Sequence, residues 1–209
     1  MTINLMAVST AKNTTNILQK ICEVYNKEIS LKVHLGDANS DFKASSMVRM
    51  NQREGKKGHL MVDDQYSKID HQLLGSEDFS QNIETLIDQL YRHGPAYRYK
   101  SHNLQNLQDY LDYYHILADV MVRKMQQENI THVLFFNIPH LAYDTIIYQL
   151  ARSLKIDVTI VTQSLFTNKY FSMSCIEDFG NYEKPRPITS TKETELPKVD
   201  LFYMKNVKQ

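Results

Sequence analysis

The stretch THVLFFNIPHLAYDTIIYQLARSLKIDVTIV, Thr131 to Val161, decides how this chain is read. Thr131 to Phe136 is a strongly apolar run with strand character, and Val158 to Val161 is another. Between them Tyr143, Ile146, Ile147, Leu150, Ala151 and Leu154 fall on one side of a helix at 100° per residue. Asn137 is a good capping residue and Pro139 suits a first turn, so the pattern predicts a helix from about Pro139 to Leu154. Strand, helix and strand joined this closely make a βαβ unit, which implies parallel strands and a right-handed crossover.

Working outward, the N-terminal segment repeats the pattern. Ile3 to Val8 is a short apolar run; Ile17, Leu18, Ile21, Cys22 and Tyr25 follow at helical spacing; and Ile29, Leu31, Val33 and Leu35 alternate with polar residues up to Gly36-Asp37. Upstream of Thr131, Leu104, Leu107, Leu111, Tyr114, Ala118, Met121 and Met125 recur in steps of three and four, a stripe suited to packing on a sheet. Ile83, Leu86, Ile87 and Leu90 mark a shorter helix ended by His93-Gly94-Pro95. Periodicity is lost from Ala38 to Gly75 apart from a short strand at His59 to Val62, so a loop-rich insertion is expected near 38–78. The expected architecture is one α/β domain over 1–180, with a Rossmann-like, mainly parallel sheet flanked by helices. Residues 181–209, rich in Pro, Thr and charge, read as a linker or tail.

Composition narrows the function classes. Lys plus Arg and Asp plus Glu balance at 24 each, which gives no overall pull toward nucleic acid, and no nucleic-acid partner is expected. No run approaches 18 consecutive apolar residues, so no transmembrane segment is expected, any membrane contact would be peripheral, and the expected location is the cytoplasm. Cys22 and Cys175 permit one disulfide but no framework, and two cysteines cannot close a zinc site alone. His34, His59, His93, His102, His115 and His132 do not cluster at ligand spacing, so no metal is expected. The turn VSTAKNTTN after the first strand lacks glycine and GKKGH at Gly55 to His59 has the wrong spacing, so neither phosphate fingerprint is present and no cofactor is expected.

What remains is the turn that leaves the strand ending at Phe136. In a parallel sheet, ligands gather beyond the carboxyl ends of the strands. His140 and Asp144 stand four residues apart at that end, the spacing at which side chains on one helical face meet, and they are the catalytic candidates. Ser9, Thr10, Asn137, Gln163 and Ser164 lie at neighbouring strand ends and are the substrate-binding candidates. A purely structural reading is also open: Asn137 as the cap, and Asp144 answering the helix dipole. The basic residues Lys43, Arg49, Arg53, Lys56 and Lys57 suit a solvated loop better than a phosphate site; the run Tyr110, Tyr113 and Tyr114 could stack a sugar or base, but Tyr114 lies on the helix stripe and suits packing better.

The order over Val133 to Gly180, an apolar strand, Pro139-His140, Tyr143 with Asp144, IIYQLARSLKID, and a second strand followed by QSLF, resembles bacterial surface-polysaccharide (capsular) glycosyltransferases. The resemblance covers roughly 50 residues by short motifs. It implies one Rossmann-like half of a two-domain GT-B arrangement and transfer of a sugar from a nucleotide-activated donor to a glycan acceptor, without a bound catalytic metal. It further implies that this is the acceptor-side half, with His140 as base or phosphate contact, Asp144 orienting it, and Pro139 and Tyr148 beside them. Two such domains need about twice this length, so the chain is expected to be an N-terminal portion beside a partner domain, a shortened relative acting with a partner chain, or a protein that has kept the fold and lost the transfer reaction. The competing expectation is a non-catalytic binding or assembly module that holds a partner through an exposed apolar face of the long Leu104 to Met125 helix or through the C-terminal tail.

Overall fold

The computed structural model describes residues 2–9, 12–36, 46–49, 107–140, 142–164 and 170–181. In chain order these form β1 (Ile3–Ser9), α1 (Lys12–Val24), β2 (Ile29–Gly36), β3 (Ser46–Arg49), α2 (Leu107–Gln127), β4 (His132–Phe135), α3 (Ala142–Ser153), β5 (Asp157–Gln163), β6 (Tyr170–Met173) and a 3-10 turn at Ile176–Asp178. The strands make one six-stranded sheet in the order β3-β2-β1-β4-β5-β6. Every pairing is parallel except the last, where β6 runs antiparallel to β5. This is an α/β arrangement with a mixed, mostly parallel sheet.

Apolar side chains explain why helices cover both faces. Met6, Val8, Val33, Leu35, Val133, Phe135, Val158 and Ile160 project to one face, where α2 supplies Tyr114, Leu117, Ala118, Met121 and Met125 and α3 supplies Tyr143, Ile146, Ile147, Leu150 and Ala151. Leu5, Ala7 and Leu134 project to the other face and meet Leu18 of α1. The described part of the α2 stripe, Tyr114, Ala118, Met121 and Met125, is therefore core, and burial of such side chains is the main term holding helices to sheet, about 1.5–3 kcal/mol for each large one. Tyr114 is fully buried, and burial pushes its phenol above the ordinary tyrosine range.

Strand β2 departs from the simple alternation of its sequence. Its register with β1 steps from Leu5–Leu31 to Met6–Val33, so Lys32 is the extra residue of a bulge. Ile29 and Leu31 consequently lie with the α1-side cluster, whereas Val33 and Leu35 lie in the main core. The same step sends His34 to the α1 side.

Helices α2 and α3 end alike. Ile130 N–H donates to Met125 O at 2.9 Å around Asn129 at φ 49°, and Ile156 N–H donates to Ala151 O at 2.8 Å around Lys155 at φ 56°. Each is a left-handed cap that turns the chain directly into the next strand. Asn tolerates this conformation, but a lysine is strained in it. Lys155→Gly is therefore expected to raise stability by about 1 kcal/mol, read from urea unfolding, and an unchanged midpoint would show that the strain is absent.

Two strands escape the sequence pattern. SMVR in β3 has only Met47 and Val48 as apolar residues and lies inside the segment expected as an insertion, while YFSM in β6 is an equally short edge strand. Helix α3 begins at Ala142, three residues later than the pattern suggests. Thr10, the helix at Ile83 to Leu90, the strand at His59 to Val62, the basic residues Lys43, Arg53, Lys56 and Lys57, and the tail from 182 onward lie outside the described residues. Among the described residues no helix is long and apolar enough to cross a membrane.

Candidate functional site

Because β1, β2, β4 and β5 are parallel, their carboxyl ends at Ser9, Gly36, Phe135 and Gln163 share one edge of the sheet. From β1 the chain passes by α1 to β2 on one side; from β4 it passes by α3 to β5 on the other. Helices α1 and α3 therefore pack on opposite faces of the sheet, and the strand order reverses between β1 and β4, the topology at which open α/β sheets take their ligands. Phe136 N–H donates to Val8 O at 3.3 Å, carrying the β1–β4 ladder one residue past β4 at this edge of the sheet.

The turn from Phe136 to His140 is held by its own polar atoms. Asn137 Oδ1 accepts from Ile138 N–H at 2.9 Å, so this side chain organises the turn instead of capping α3. Pro139 is buried. His140 is exposed, and its Nδ1 lies 2.7 Å from Ile138 O. A carbonyl can only accept, so Nδ1 carries the proton and, in the neutral ring, Nε2 keeps the lone pair.

Asp144 does not meet the imidazole. Its Oδ1 accepts from His140 main-chain N–H at 3.0 Å and from the Thr145 hydroxyl at 3.4 Å, and the residue is only 6% exposed. The reason is the helix start: with α3 beginning at Ala142, His140 precedes the helix, and Asp144 in the first turn reaches back to an otherwise orphaned N–H. The expected side-chain pair is replaced by a side-chain-to-main-chain bond that fixes where His140 stands. Asp144→Ala should cost about 1 kcal/mol in stability, read by chemical denaturation, whereas a loss under a few tenths would deny the capping role.

A second polar group, of which the sequence singled out Ser9 alone, lies at the ends of β1 and β2. Ser9 Oγ is 2.6 Å from His34 Nε2 and 3.4 Å from Thr15 Oγ1, and the Thr15 hydroxyl donates to Ser9 O at 3.1 Å. Exposures are 1% for Ser9, 4% for Thr15 and 0% for His34. Ser9, expected as a substrate-binding residue, is thus buried, with its hydroxyl turned to His34 and Thr15. In the sequence His34 is one of three alternating polar residues, with Ser30 and Lys32; only the bulge at Lys32 aims it at Ser9.

Gln163 is exposed and Ser164 half-buried, three and four residues past Ile160, which pairs with Phe135; both are level with the 137–140 turn. Tyr148, one turn beyond Asp144, packs edge-on against Phe135 with ring centroids 6.3 Å apart. Its hydroxyl accepts from Ile176 N–H at 3.2 Å and donates to Glu177 at 3.4 Å, pinning the segment after β6 to α3. Burial raises the Tyr148 phenol, partly offset by the Ile176 bond. Cys22 and Cys175 are both free, and burial pushes each thiol up. Among the described residues no three His, Cys, Asp or Glu side chains stand together as metal ligands.

Comparison with protein-family models, with curated proteins and with solved structures finds no match to this chain.

Proposed function

We propose that this chain is the Rossmann-like, acceptor-side half of a GT-B glycosyltransferase of surface-polysaccharide biosynthesis, acting with a donor-binding partner domain or chain. The observation that supports the reading is the reversal of strand order between β1 and β4, the point at which open α/β sheets form a ligand crevice; in this reading the Pro139-His140 turn, which leaves β4 there, lies at the mouth of that crevice. The likeness of Val133 to Gly180 to capsular glycosyltransferases supplies the chemistry.

In this reading the glycan acceptor lies against Asn137, Gln163 and Ser164, with Ser9 as the floor. His140 Nε2 takes the proton of the acceptor hydroxyl as its oxygen bonds to the anomeric carbon; the bond from that carbon to the donor phosphate breaks, and the nucleotide leaves with the electron pair. The Nδ1–H bond to Ile138 O supports this role by fixing the tautomer that leaves Nε2 basic. Asp144 acts by holding the His140 main chain.

The alternative, an assembly module docking through α2 or the C-terminal tail, requires in its α2 form an exposed apolar face on that helix, and the tail lies outside the described residues. Tyr114, Ala118, Met121 and Met125 are all buried in the core, which favours the first reading. A His140→Ala substitution introduced into the producing cell tests it. Surface glycan is expected to fall by about 100-fold, the low end of general-base contributions, at an unaltered level of folded protein. Unaltered glycan at that level would remove His140 from the chemistry.

A further inference from the structure

The Ser9, Thr15 and His34 group joins three elements at one point: the last residue of β1, the first turns of α1, and the carboxyl end of β2. Polar side chains this deep lose hydration that only good hydrogen bonds return, and an apolar set of the same shape would stabilise the junction as well. What the polar set adds is direction. The 2.6 Å bond fixes the Ser9 hydroxyl relative to β2, and the Thr15 bond to Ser9 O fixes α1 relative to the end of β1.

The bulge shows that strand geometry is committed to this contact. With a regular β2 keeping Ile29 and Leu31 on the α1 side, Val33 and Leu35 would lie on that side too, and His34 would point into the main core. The extra residue Lys32 reverses the second half of the strand. Val33 and Leu35 then enter the main core, and His34 reaches Ser9.

We propose that His34 is a positioning residue of the β1–β4 crevice: through Ser9 it sets where α1 stands beside the crevice, and so governs ligand engagement there. This rests on the ligand-binding reading of the crevice, and His34 acts through Ser9 without touching substrate.

Hydrogen exchange and surface-glycan yield, measured on the full chain for His34→Leu, His34→Gln and Ser9→Ala, test the proposal. Loss of the bond in His34→Leu is expected to speed amide exchange over 12–18 about ten-fold, with exchange over 142–153 unchanged. Ser9→Ala should do the same, and the double variant should be no worse than either single one. His34→Gln, whose amide still reaches Ser9, should restore both slow exchange and glycan yield, where His34→Leu reduces the yield. Exchange that is unchanged over 12–18, or that rises equally over 142–153, would overturn the proposal, as would failure of the Gln variant to restore yield while it restores exchange. If His140→Ala leaves glycan unaltered, the glycosyltransferase reading fails by itself, and the exchange pattern still decides whether His34 positions α1.

Discussion

Phe135→Ala is expected to remove about 3–5 kcal/mol of stability, a large part of what a domain of this size possesses. Phe135 is 1% exposed and ends β4 between α3 and the sheet. It supports the Tyr148 ring edge-on, and the residue after it opens the turn that carries His140. Truncation leaves a cavity that neither neighbour fills without moving the turn. Urea unfolding measures the loss, and Phe135→Leu, which keeps most of the volume, should lose less than half as much. A loss below about 1 kcal/mol for the alanine variant would mean that the end of β4 is not packed as described.

Deleting Ser30 is expected to be at least as damaging, whereas deleting Lys32 two residues later is expected to be mild. Removing Lys32 excises the bulge: Leu31 still pairs with Leu5, Val33 still pairs with Met6, and every apolar side chain keeps its face. Removing Ser30 brings Lys32 to the position opposite Leu5, on the α1-side face now held by Leu31. Burying a lysine there, or flipping the rest of the strand to avoid it, costs several kcal/mol. Soluble yield and thermal unfolding of the two deletions separate the outcomes. Equal damage from both would contradict the bulge at Lys32.

That pair of deletions also shows where the sequence stops being informative. Ile29, Leu31, Val33 and Leu35 alternate cleanly and read as one face, yet the structure divides them between two, because register is set by pairing with β1 and not by the alternation itself. His34 was hidden by the same cause. In β4, α3 and β5 the reading is close, since the Ile146, Ile147, Leu150 and Ala151 side bears enough apolar surface to dictate its own orientation. The His140 and Asp144 spacing was legible, but it implies facing side chains only inside a helix. With α3 starting at Ala142, the aspartate met a main-chain N–H before it could meet an imidazole.

Amide chemical-shift mapping with glycan fragments released from the producing cell tests most directly the proposal that a ligand sits between the carboxyl ends of β1 and β4. The predicted result is that the largest shifts fall at Ser9, Asn137, His140 and Gln163, the carboxyl ends of the parallel strands. Shifts centred instead on the hollow lined by Asn16, Gln19, Lys20 and Glu23 along α1, or on the opposite sheet edge at Ile3, Ile29 and His132, would contradict it.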